Sequence, residues 1–182
     1  MLMGSSVELE ACENYVKQTY RNRCYILAGD GVQMLQVPVV HGPSQQIRDI
    51  KIDYSTPWVL KTKRALDTAY ESSAFFEYYR DELFDILDSG EERLWDLNTQ
   101  LTLWCVRKCH MSTAITPTAT FAVPGTAGAD DYRYSLAPKL PPILPQKPYY
   151  QVFADRMGGF TPRLSIIDLL FNEGPDALIY LK

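Results

Sequence analysis

A chain of 182 residues is long enough to bury one sizeable hydrophobic core and short for two, so a single domain spanning residues 1–182 is expected. With 46% apolar residues, 22% charged residues and a net charge of −4, the composition excludes wholesale disorder and any global basic field able to hold nucleic acid or an anionic membrane. No apolar run approaches the roughly 20 residues of a membrane span, and MLMGSSVELEAC lacks both a basic and an apolar leader region, so a cytoplasmic location without membrane insertion is expected.

The first third reads as strands. VELEAC alternates apolar and acidic residues, and CYILA is separated from VQMLQV by the turn residues Gly29, Asp30 and Gly31, which predicts a hairpin. A further short strand, IKID, follows the polar loop at HGPSQQ. Thr56 and Pro57 then supply an N-cap and a first helical residue. From Trp58 to Leu87 apolar residues recur every three to four positions, with the pair Ser72 and Ser73 dividing the stretch in two. Ser89 and Glu92 have capping-box spacing for the next helix, whose apolar stripe is Leu94, Leu97, Leu101, Trp104 and Cys105.

Between Met111 and Pro148 periodicity disappears, and KLPPILPQKP cannot continue a helix because proline lacks the backbone donor. A long ordered loop or arm is expected there. In the last segment Ser165 and Asp168 again have capping-box spacing, which accounts for them better than a nucleophile and its base. Gly174 and Pro175 stop that helix, and ALIYL closes the chain. The pattern as a whole predicts an α/β fold: a small sheet with the N-terminal strands and hairpin, covered by the helices from Trp58 onward. An α+β arrangement with a separate hairpin is the alternative.

Two charge-rich motifs stand out from this core-building pattern. KQTYRNRC gathers Lys17, Arg21 and Arg23 beside Tyr20 and Asn22, just ahead of an apolar strand. Two arginines can grip phosphate or carboxylate bidentately, and an asparagine amide can donate and accept at once. The plain alternative is a solvated strand entrance. DDYRYSLAPK brings Asp131, Arg133 and Lys139, which either complete an anion site or pin the arm by surface ion pairs.

Other chemistries find little support. Cys105, Cys109 and His110 make an incomplete ligand set, with His41 the only other histidine, so buried thiols and no metal are expected. Four cysteines are too few for a disulfide scaffold in a chain of this size. No GxSxG, GxxxxGK[ST] or GxGxxG motif is present, and no cofactor is called for.

Taken with DYRYSLAPK, KPYYQVF and LSIIDLLFNEGP, the segment KQTYRNRC resembles the WbqC-like family, and the resemblance runs from Glu13 to Leu181. Such proteins are associated with gene clusters for O-antigen and other surface polysaccharides. The resemblance therefore implies a cytoplasmic step on an anionic sugar or sugar nucleotide, performed by an enzyme, possible transferase chemistry included, or by a non-catalytic binding or assembly protein. It carries over Arg21, Asn22, Arg23, Asp131, Arg133, Tyr150 and Gln151; by their chemistry Arg21, Asn22, Arg23, Arg133 and Gln151 are the expected ligand contacts, Asp131 the expected general base and Tyr150 a candidate donor. Ser165, Asp168 and Asn172 also match. Two departures are evident: only MLMGSS stands where members carry an extra N-terminal segment, and Arg163 replaces an asparagine.

Overall fold

The computed structural model describes residues 6–40, 42, 46–125, 130–143 and 145–181. His41 and most of the HGPSQQ loop lie outside them. The elements in chain order are β1 (Ser6–Leu9), β2 (Arg23–Ala28), β3 (Gly31–Gln36), α1 (Trp58–Tyr70), α2 (Phe76–Asp88), α3 (Leu94–Lys108), β4 (Ala114–Pro117), α4 (Ala154–Met157), α5 (Ile166–Glu173) and α6 (Ala177–Tyr180). The class is mixed α/β with little sheet. Its strands form two separate pairs: β2 and β3 antiparallel, β1 and β4 parallel.

The hairpin forms as its turn residues predict, with Ala28 opposite Gly31 across a two-residue loop, and Gly31 takes a φ of 129° that a side chain would oppose. The β1–β4 pair corrects the reading of 111–148 as wholly loop. Its four-residue strand AITP joins a partner more than a hundred positions earlier. IKID is corrected too: it makes isolated bridges, Val39 with Ile52 and Lys51 with Arg93, and is held between the 38–40 and 92–94 segments.

The helical hairpin breaks at Ser72 and Ser73 as the periodicity indicates, and α3 buries Leu94, Leu97 and Trp104. Its start differs from expectation. Arg93 occupies the cap position, Ser89 closes α2 by donating to the Ile86 carbonyl at 2.8 Å, and Glu92 pairs with Lys51. Likewise Pro57, one residue later than expected, is the N-cap of α1. At the far end of α3, His110 has a φ of 52° and its N–H donates to the Arg107 carbonyl, so it ends the helix.

At the centre lies α5, in which Ile167 through Asn172 are all buried. A helix apolar on every face belongs inside a protein. Phe171 meets Tyr70 and Phe76 edge-on, each at 4.9 Å between ring centroids, and its carbonyl accepts from the Phe75 N–H. Gly174 then turns the chain with a φ of 55°, where a Cβ would collide with the Phe75 ring. The segment ahead of α5 docks on the outer edge of β2, Ser165 N–H donating to the Tyr25 carbonyl at 2.7 Å.

Candidate functional site

The segment between β1 and β2 positions the first charge-rich motif. Arg21 donates through Nε and Nη2 to the two oxygens of Glu13, at 2.8 and 2.7 Å, and the pair is largely buried. Asn98 of α3 holds the Arg21 carbonyl at 2.7 Å. Asn22 is 5% exposed; its Nδ2 donates to the Val37 carbonyl at 2.9 Å, which fixes the amide's orientation and leaves Oδ1 buried without a partner among the described residues. Arg23 Nε is buried and also unpartnered among the described residues. The Tyr15 hydroxyl lies within the field of both Arg23 and Arg21, which oppose the upward push of its own burial on its pKa.

The second motif reaches the same stretch of chain. Arg133 donates through Nε to Asp131 at 2.9 Å and through Nη1 to Glu10 at 3.1 Å and the Ala122 carbonyl at 2.6 Å, while Nη2 pairs with Asp131. Its guanidinium also sits 5.5 Å from the Phe121 ring centroid. Burial pushes the Glu10 carboxyl up, but the N–H groups of Ala122 and Cys12, the Thr118 hydroxyl and Arg133 together bring it below the usual range. Hydrogen bonds from Arg133 drive the Asp131 carboxyl down to about 2. So low a pKa makes Asp131 a poor proton acceptor at neutral pH and a good anchor for Arg133. Arg21 and Arg133 thus rest on carboxylates three positions apart, whose Cα atoms are at most about 11 Å from each other.

Gln151 and Tyr150, adjacent in sequence, part company. Gln151 is 2% exposed and works internally: Oε1 accepts from the Thr161 N–H at 2.8 Å, and Nε2 donates to the Thr161 carbonyl at 2.9 Å and to Asp168 at 3.2 Å. Tyr150 is 63% exposed, and its N–H donates to Glu173. Neither side chain hydrogen-bonds to Arg21, Asn22, Arg23 or Arg133 among the described residues.

Asp168 overturns the capping-box expectation. Ser165 is the N-cap of α5 but makes no side-chain capping bond, and Asp168 points inward, 1% exposed. Tyr70 and Tyr149 each donate to it at 2.7 Å, Gln151 adds a third bond, and the Leu27 backbone a fourth. Burial raises the Asp168 pKa despite those donors, and burial also pushes both tyrosines up. Ser165 and Asp168 make no side-chain contact with each other, so the free nucleophile–base pair that acyl chemistry needs is absent here. The signal that would have revealed this hub is the helix itself: IIDLLFN is apolar all round, so a polar residue at its centre has nowhere to go but the core.

The cysteines form no site. Burial pushes the Cys24 and Cys109 thiols up to about 11 and Cys105 up to about 12, so all three are protonated and unreactive at neutral pH. No cluster of three or more metal-ligating side chains occurs among the described residues. Among the described residues no helix is long and apolar enough to cross a membrane.

No solved structure matches. Uncharacterized protein Rv1507c of Mycobacterium tuberculosis (strain ATCC 25618 / H37Rv) is 28% identical over 194 residues, an alignment that takes in 92% of this chain and 84% of that protein. The WbqC-like protein family model matches residues 6–135, a stretch that contains TYRNR and DDYRYS but ends before KPYYQVF and LSIIDLLFNEGP. With both arginine motifs and most of the 182 residues inside that match, the chain belongs to the WbqC-like protein family.

Proposed function

We propose that this chain, as one cytoplasmic domain, binds a small anionic ligand of the sugar-nucleotide class in a step of surface-polysaccharide biosynthesis, with Arg23 as the first point of contact. The observation that carries this reading is the unmatched hydrogen-bonding capacity at Arg23 Nε and Asn22 Oδ1, beside the Arg21–Glu13 pair. A buried donor and a buried acceptor left without partners are costly, and a ligand offering phosphate oxygens and hydroxyls answers both. Arg21 and Arg133 are already neutralised, so an incoming anion competes with Glu13, Glu10 and Asp131 for them. Asp131 then serves to orient Arg133, and Gln151 to hold the core. Tyr150, exposed, remains available as a donor to whatever the arm approaches.

The test is calorimetric titration with UDP-glucose, GDP-mannose and dTDP-glucose. Arg23→Ala should weaken the responding ligand by about 1.5–3 kcal/mol, the range for a charge-assisted hydrogen bond, with the unfolding free energy little changed. Absence of any response, or equal affinity in the variant, overturns the reading. A second reading, a non-catalytic assembly protein, is favoured by the exposed rings and aliphatic side chains of the arm, with Val123 66% and Tyr134 57% exposed. Co-purification of a stoichiometric protein partner, without response to nucleotides, would favour it.

A further inference from the structure

A concavity lies at the start of α1, sharing no lining residue with the arginine motifs. It is a cavity of about 300 Å³ lined by Tyr54, Thr56, Pro57, Trp58, Leu60 and Lys63, with Val59 and Asp88 completing the wall. Ligand sites span about 300–1,000 Å³, so this one admits a single ring rather than a nucleotide. Its apolar wall is rigid. The Tyr54 ring, 45% exposed, is fixed by its hydroxyl on the Glu91 carbonyl at 2.9 Å, and leans on Trp58 at 5.8 Å between centroids and 39° between planes.

The polar wall is a paired one. Lys63 donates to Asp88 at 2.5 Å, and its ammonium also stands 5.0 Å from the Phe84 ring centroid. The two charges cancel, so the groove holds no excess field for an anion. They still offer ammonium donors and carboxylate lone pairs side by side, which suits hydroxyl groups because each hydroxyl both donates and accepts. Trp58 is 4% exposed, and its Nε1–H has no acceptor among the described residues. An aromatic platform beside mixed donors and acceptors matches a molecule with one C–H face and an equatorial fringe of hydroxyls.

We propose that the groove formed by Tyr54, Trp58 and the Lys63–Asp88 pair is a binding site for a single neutral pyranose ring, held by stacking on Tyr54 and by hydroxyl hydrogen bonds to Asp88 and Lys63, with the buried Trp58 indole directly behind the Tyr54 ring as its reporter. This site stands whether or not the arginine segment binds an anion.

The test is a titration of the full-length, ¹⁵N-labelled protein with the methyl pyranosides of glucose, galactose and mannose, following the three assigned indole N–H signals. At least one glycoside should move the Trp58 signal saturably, with a Kd of about 1–10 mM, while the Trp95 and Trp104 signals stay in place. Tyr54→Ala and Asp88→Asn, both at exposed positions and expected to leave the melting midpoint unchanged, should each weaken binding about tenfold. Unsaturable drift with all three glycosides, binding unaffected in both variants, or saturable displacement by inorganic phosphate and not by a glycoside overturns the proposal.

Discussion

Asp168 and Glu13 are both buried carboxylates, 1% and 8% exposed, yet they are satisfied in opposite ways. Asp168 is surrounded by four neutral donors drawn from three parts of the chain: Tyr70 of α1, Leu27 of β2, and Tyr149 and Gln151 of the segment before α4. Glu13 rests on one cation, Arg21, eight positions away. The first arrangement ties distant elements together and has nothing to exchange. The second is local, and a guanidinium held by a single carboxylate can trade it for another anion. Structural glue and candidate recognition chemistry thus separate by who the partner is, with burial nearly the same.

The sharpest way to break this contrast is to delete the hub. Asp168→Ala should destabilise by about 3–5 kcal/mol, because two phenols and an amide are then buried without an acceptor. Urea unfolding monitored by tryptophan fluorescence measures it. A cost below about 1 kcal/mol would mean that water replaces the carboxylate and that the hub is not the tie between elements.

Arg21→Ala should cost less, about 2–3 kcal/mol, since it strands Glu13 in a site only partly closed to water. Arg21→Ala with Glu13→Ala should recover part of that loss, a coupling that a double-mutant cycle reads directly. Additive losses would make the two residues independent and remove the exchangeable pair from the comparison.

The smallest effect is in pH. The folded Asp131 carboxyl is depressed from 3.8 to about 2, so its contribution is fully present above 3.8 and is lost as pH falls toward 2. Asp168 is shifted the other way. Its folded pKa lies above 3.8, so the stability it contributes is present below that value and declines as pH rises through the folded pKa. Asp131→Asn should therefore flatten the acid limb of stability measured between pH 2 and 7, and leave stability at neutral pH little changed. An unaltered acid limb would assign it to Glu10 instead, whose carboxyl is also depressed.

Legibility followed distance along the chain. The α1–α2 break at Ser72 and Ser73 and the hairpin at Gly29 and Asp30 were readable because period and turn chemistry are local signals. The β1–β4 pair was not, since AITP is too short to show alternation and its partner lies at the other end of the domain. Capping-box spacing misled twice because the pattern gives residue types three apart but not which helix end the serine serves or which way the carboxylate turns. Ser89 ends a helix instead of starting one, and Asp168 faces the core instead of its cap. Of the site, the clustering of Arg21, Asn22 and Arg23 was visible in the sequence. The neutralising partners, Glu13 for Arg21 and Glu10 for Arg133, were not, because acidic residues beside a strand look the same whether they face water or a guanidinium.

Arg163, in a left-handed conformation with a φ of 67°, reaches the arm with one nitrogen: Nη2 donates to the carbonyls of Pro138 at 2.9 Å and Leu140 at 2.7 Å, with Ala137 at 3.5 Å. Every bond in that grip is to main chain. The tether is therefore blind to side-chain identity at residues 137–140, and what holds the arm is the Arg163 guanidinium itself. Across relatives that retain this arginine, the arm is expected to keep its path over the domain while its chemical face changes, which is how one scaffold comes to present different surfaces.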